Sequence, residues 1–316
     1  MADGSERRTA ASGFDARGIL YPARLPTFVR LPAPESLTGL VCWFWIPEWD
    51  LAPGRVSRQS VLPFPASNLV VECVREHRAS VSLSVALNGP ATRVSHRDLR
   101  SSGWAVGALL RPAAVAALGI DPTAIRDAEV RLWGSGRGTA SASAASECAQ
   151  AAEVEVVPAA RLRAETLGRT VAEAMAAGED AHDTAAASAH RAAAEAFASW
   201  FAAHIPAPDE GGRLANEMED LIAGDRSIVH IEQAAERLGI SVRGVQRLAR
   251  RYVGVPPLAI IRRYRLQEAA QRLREDPDVT IAQVAADLGY ADHAHLTRDF
   301  RAVLDLTPAG YRRGRV

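Results

Sequence analysis

The chain has 316 residues, 48% hydrophobic and 23% charged, and its 37 acidic side chains are balanced by 37 basic ones, all of them arginine. That length accommodates two domains, each with a core of its own, and the composition is that of a soluble globular protein. Cys42, Cys73 and Cys148 are too few and too scattered for a disulfide framework or a zinc cluster. No stretch approaches the roughly 18 uninterrupted apolar residues of a membrane span, and the opening residues lack the apolar segment of a secretory signal. These features point to a cytoplasmic protein.

Residues 1–18 are polar and expected to be disordered. From 19 to 134 the texture is that of β structure. LVCWFWI (40–46), NLVVECV (68–74) and ASVSLSVAL (79–87) are strand-like, the last with period-two alternation. The breakers PEWDLAPG and NGPA separate them, and RPAAVAALGI (111–120) reads as a short helix with Pro112 in its first turn. Residues 134–151 are rich in Gly, Ser and Ala and are the best linker candidate, opening a connector zone over 135–212. Helices are expected there at 158–177 and 183–204, the second with Ala194, Phe197, Ala198 and Phe201 at helical spacing.

The last zone, 213–316, contains a repeat. IEQAAERLGI (231–240) aligns with IAQVAADLGY (281–290) at an offset of 50. Each copy carries an apolar helical stripe (Ile231, Ala234, Ala235, Leu238; Ile281, Val284, Ala285, Leu288) and stops at a glycine, Gly239 or Gly289. Thr280 and Gln283 form a capping box for the second copy. A second helix follows each glycine, capped by Ser241 or Asp292. Val245, Leu248, Ala249 and Tyr252 face inward in the first copy, and Leu296, Phe300 and Val303 in the second. The opposite stripes carry Arg243, Gln246, Arg247 and Arg250, and Ala294, Thr297, Arg298 and Arg301.

A helix, a glycine turn and a helix with a basic outer face make a helix-turn-helix unit, whose second helix fits a major groove. Between the two units VGVPP starts a bridging helix, with Pro257 near its first position, that runs to about Asp276. From Val242 to Arg274 there are nine arginines against one acid, Glu268, as a surface facing a polyanion would require.

In "LGISVRGVQRLARRYVGVPP", "RYRLQEAAQRLRE" and "TIAQVAADLGYADHAHLTRDFRAVLDLTPAGYRR" the chain resembles the AraC/XylS family of transcription regulators over roughly 217–313. Carried across by position, the resemblance makes Arg243, Gln246 and Arg247 base-reading in the first unit, and His293, Ala294, Thr297 and Arg298 in the second. The first unit departs from the family at Ala249, where a phenylalanine matching Phe300 is usual, so a thinner core is expected there, with Leu248 compensating. "VLPFPASNLVVEC", "LNGPATR", "VGALLRPAAVAALGI" and "VRLWG" are more loosely similar to the cupin-like sensor halves of such regulators. The implied fold class is α+β: a cupin-like β-barrel, then helices, then an all-α domain with two helix-turn-helix units joined by a linker helix. The implied partner is double-stranded DNA, with a small-molecule effector, RNA polymerase and a second copy of the chain as further candidates.

A metal-binding cupin needs clustered histidines and a carboxylate, and the barrel zone offers only His77 and His96, so a barrel without metal or other cofactor is expected. Trp43 and Trp45 share a strand face. They pack a core, or with Trp104 they wall an effector pocket. No nucleophile elbow, zinc-protease motif, dinucleotide fingerprint or Walker loop is present, which argues against an enzyme. GSGRG (134–138) is not flanked by the strong strand and helix that a phosphate loop requires. In ADHAHLTRDF (291–300), His293 and His295 are about 200° apart on a helix and cannot converge on one metal. Asp292 is the cap, and His293 sits in the leading turn. Two readings remain: a regulator whose first domain senses a small molecule, or one whose first domain only dimerises or contacts a protein.

Overall fold

A computed structural model of the chain describes residues 27–61, 63–76, 80–135, 150–151, 158–178 and 183–313. His77, Cys148, the segment 1–18 and all but the ends of the 134–151 linker lie outside them. The strands are β1 (Thr27–Pro32), β2 (Val41–Asp50), β3 (Val56–Val61), β4 (Asn68–Arg75), β5 (Val81–Asn88), β6 (Ser95–Arg100), β7 (Ser102–Leu110), β8 (Ala128–Ser135) and β9 (Gln150–Ala151). Seven form one sheet in the order β1-β2-β7-β4-β5-β8-β9, antiparallel except for β8–β9, and β3 pairs with β6 in a second.

The α+β class holds, but among the described residues the sheet does not close into the expected barrel: β1 and β9 are its two edges. Period-two alternation explains its burial. Leu69, Val71 and Cys73 of β4 enter one core, while Val70 and Val74 face the small sheet that carries Leu99. The first of these faces is covered by α2 (Pro158–Ala176) and α3 (Asp183–His204), through Leu167, Val171, Phe197 and Phe201. Both helices fall where their periodicity predicts.

The breaker PEWD does not break the strand. β2 runs through Pro47 to Asp50, and its ladder with β7 has no paired residue at Ile46 or Pro47. Proline has no N–H to donate, so the strand is kept in place by β1 on its other side, where Pro47 pairs with Phe28. Trp49 therefore sits in a strand and is buried. On β7, Gly107 lies under the Trp45 indole, so near that a Cβ would come within 2.1 Å of Cε2.

α1 (Pro112–Ala117) leads out of β7. The C-terminal domain comprises α4 (Glu210–Gly224), α5 (Ile231–Arg237), α6 (Val242–Leu248), α7 (Pro257–Glu275), α8 (Ile281–Asp287), α9 (His293–Leu304) and α10 (Pro308–Arg313). Its two cores are separate. Ala234, Ala235, Val245 and Tyr252 belong to one, and Val284, Ala285, Leu296 and Phe300 to the other. α7 contributes Ile260 and Ile261 to the first and Leu266 and Leu273 to the second, so a single helix ties both units together.

Candidate nucleic-acid interface

Each unit is built by local chemistry. Gly239 (φ 65°) and Gly289 (φ 68°) take the left-handed conformation that ends α5 and α8. Ser241 Oγ accepts the Gly244 amide at 3.1 Å to start α6, and Asp292 Oδ1 accepts the His295 amide at 2.6 Å to start α9. That amide hydrogen bond, with help from Arg298 and His293, holds the Asp292 carboxyl below its ordinary range. The cap therefore keeps its charge to lower pH than an ordinary aspartate does. At α8 the expected box is present: Thr280 Oγ1 accepts from the Gln283 amide, and Gln283 Oε1 accepts from the Thr280 amide at 2.9 Å. Gln233 does the same for the His230 amide at α5, a half-box that His230 concealed in the sequence.

The outer stripes are where the pattern predicts. Arg243, Gln246, Arg247 and Arg250 are exposed, and Val245, Leu248, Ala249 and Tyr252 are buried beneath them. Past Leu248 the helix widens into a π turn, Ala249–Val253, ending at Gly254 (φ 84°). Ala249 is fully buried, in one core with Leu248 and Tyr252, and the Tyr252 hydroxyl donates to Asp209 at 3.1 Å. On α9, His293, Ala294, Arg298 and Arg301 are exposed. Thr297 is half-buried, its hydroxyl donating to the His293 carbonyl at 2.8 Å. His295 turns back and packs edge-on against Tyr290, 5.2 Å between ring centres. The cap follows the glycine by two residues at α6 (Gly239 to Ser241) and by three at α9 (Gly289 to Asp292), so the heads enter through unequal turns.

Part of the basic block is structural. Arg265 donates to the Leu288 carbonyl at 2.8 Å and lies over the Tyr290 ring, Arg272 pairs with Glu268 and Asp287, and Arg263 donates to the Thr92 carbonyl. The exposed arginines of the block are Arg243 and Arg247 of α6, Arg250 and Arg251 of the turn after it, and Arg262 of α7. Among the described residues no three His, Cys, Asp or Glu side chains are grouped to hold a metal. No helix there is long and apolar enough to cross a membrane.

The N-terminal domain is fixed to α4 of the C-terminal domain. Arg111 forms a bidentate pair with Asp220 of α4 (2.6 and 2.7 Å) and approaches Glu219 at 3.7 Å. Asn216 bridges the Gly39 carbonyl and the Ala113 amide. Burial pushes the Glu219 carboxyl up to about 7, against the opposing pull of Arg111 and the hydrogen bond from Tyr264. Burial likewise pushes the nearby Cys42 thiol up.

The tryptophans do not form one wall. Trp43 and Trp45 share a face, but Trp104 projects to the opposite one, opposite Glu48 and under the helical layer. Its indole N–H has no hydrogen-bond partner among the described residues. Trp43 lies under Arg30 and meets Phe64, which meets Tyr264 of α7, each pair of rings 5.7 Å apart. Trp45 donates to Asn68.

Two glycine-turned helix pairs, each with a capped, basic outer helix, held at the ends of one connecting helix, define a double helix-turn-helix DNA-binding domain. Residues 234–314 match a family described as a helix-turn-helix domain, and residues 29–131 match a domain of unknown function, DUF6597. An uncharacterized HTH-type transcriptional regulator of Haemophilus influenzae is 32% identical over 84 residues, 27% of this chain and 28% of its own length. The HTH-type transcriptional activator RhaS of Escherichia fergusonii is 31% identical over 84 residues, 27% of this chain and 30% of its own length. This chain thus spans less than a third of either relative.

Among solved structures, unsaturated fatty acid-bound ToxT of Vibrio cholerae aligns over 85% of this chain and 94% of its own, at 10% identity and TM-score 0.41. The C-terminal domain of AraT, a response regulator of Geobacillus stearothermophilus, aligns over 34% and 90%, at 21% identity and TM-score 0.32. The C-terminal domain belongs to the AraC/XylS type of helix-turn-helix DNA-binding domain.

Proposed function

We propose that the chain is a sequence-specific transcription regulator, not an enzyme, acting on DNA in the cytoplasm with its N-terminal domain as the controlling half. α6 and α9 enter adjacent major-groove segments of one duplex. Arg243, Gln246 and Arg247 read bases from the first helix and His293, Ala294, Thr297 and Arg298 from the second, with Arg250 and Arg301 on phosphates. The supporting observation is the pair of exposed, largely polar stripes held apart by α7. Arginine can bond guanine and glutamine adenine on their major-groove edges.

Control by a small molecule is favoured by the aromatic chain Trp43–Phe64–Tyr264, which joins the sheet to α7. Trp43 and Trp45 are the residues of the candidate effector face, and Trp104, on the other side of the sheet, stands apart from them.

Selection of duplexes from a random library by the intact chain tests the DNA reading. An enriched two-block sequence, bound more weakly as salt rises because counterions are released, supports it; enrichment of nothing refutes it. A thermal-shift screen tests the effector. A ligand that stabilises the protein and loses its effect in Trp43→Ala supports the sensor role. A screen without a shift favours a first domain that dimerises or contacts a partner such as RNA polymerase.

A further inference from the structure

A groove of about 840 Å³ runs beside the first reading head, lined by Thr123 and Arg126 of the N-terminal domain and by His230, Glu232, Gln246 and Arg250 of the DNA-binding domain. Gln246 and Arg250 are one turn apart on the outer stripe, so the groove is continuous with the surface that faces DNA. Arg126 and Arg250 are both exposed, and neither has an ion-pair partner among the described residues. Glu232 is the one acid against them.

The loop that carries Arg126 is keyed in place at both ends. Pro122 presses its carbonyl on Gly254, where a Cβ would come within 2.4 Å of the oxygen. Asp127 (φ 57°) accepts hydrogen bonds from the Thr92 amide and hydroxyl, and its own amide donates to the Pro90 carbonyl at 3.1 Å. The segment 90–94 is in turn fixed to the second head, where the Val94 amide donates to the Val303 carbonyl at 2.7 Å and the Val94 side chain joins that head's core. One knot of two loops therefore touches both reading heads and holds Arg126 at a set place beside α6.

We propose that Arg126 contacts the phosphodiester backbone of the segment read by α6, so that the DNA surface crosses the domain boundary. This rests on the reading of α6 and α9 as recognition helices. An unpaired guanidinium on a fixed loop, a second one across the same groove, and continuity with the base-reading stripe suit a backbone phosphate rather than a base edge.

The test uses the full chain as wild type, Arg126→Ala and Arg247→Ala, titrated by fluorescence anisotropy over a range of salt. The probes are a duplex selected from a random library by the wild type and an unrelated duplex of the same length. Arg126→Ala should weaken both duplexes by a similar factor, make the salt slope shallower by about one, and leave sequence preference intact. Arg247→Ala should instead change the preference. Wild-type affinity and slope in Arg126→Ala, while the wild type still selects its sequence, would overturn the inference. A loss confined to the selected duplex would overturn the backbone assignment. If the wild type selects no sequence, the recognition-helix reading itself fails and takes the inference with it.

Discussion

Arg111→Met is the sharpest probe of the domain junction. The substitution keeps most of the unbranched stem and deletes the guanidinium, which removes two bonds to Asp220, one to the Asn216 carbonyl and the nearby charge beside Glu219. Asp220, 64% exposed, returns to water at little cost. Glu219, 5% exposed, cannot, and is left with the Tyr264 hydroxyl. Removing one partner of a buried pair costs about 3–5 kcal/mol, whereas removing both charges is far cheaper.

The sign with pH follows from Glu219. Its folded pKa of about 7 lies above the ordinary 4.5, so its contribution to stability is present in acid and is lost as pH rises through about 7. That displacement corresponds to about 3 kcal/mol. Without Arg111 the carboxyl binds its proton more tightly still, so the variant should lose most at pH 8 and least at pH 5. Urea denaturation of wild type, Arg111→Met, Glu219→Leu and the double variant, at both pH values, gives the coupling. It should be about 2 kcal/mol or more at pH 8, with the double variant recovering most of the loss. Costs that add to within about 0.5 kcal/mol, or a penalty that ignores pH, would refute the reasoning.

Gly107→Val should destabilise by about 1–3 kcal/mol, because the Trp45 indole occupies the space a side chain needs; the check is the thermal midpoint together with tryptophan fluorescence, and an unchanged midpoint would show that the indole yields freely. Ser241→Ala removes the cap on α6 and should cost about 1 kcal/mol in denaturant. The same variant should weaken binding to a selected duplex more than Thr280→Ala, whose box caps the supporting helix α8.

What the sequence made legible is what local chemistry decides. Gly239, Gly289, Ser241, Asp292 and the Thr280–Gln283 box act within four residues of themselves, and the 3.6-residue period separates the stripes of α6, while on α9 Thr297 of the outer stripe and Val303 of the inner one are both half-buried. Phe197 and Phe201, which helical spacing puts on one face, are fully buried. What stayed hidden depends on distant pairs. Nothing near Arg111 announces Asp220, nor does anything near Val94 announce the second head, because those contacts are set by how the sheet docks on α4, α7 and α9. Trp104 was grouped with Trp43 and Trp45 by residue type, and only strand register shows that it faces the other way. Proline read as a breaker at position 47 because its effect depends on which neighbour the strand can lose. The expected closed barrel was a property of the family resemblance, and among the described residues the sheet stays open.

The central claim is that two reading heads engage one duplex side by side. It is tested most directly by mapping base preference position by position for wild type, Arg247→Ala and Arg298→Ala on the selected duplex. Each variant should lose about 1–3 kcal/mol of discrimination in one block only, the two blocks lying about 10–10.5 base pairs apart. Loss of discrimination in the same block by both variants, or in neither, would contradict it.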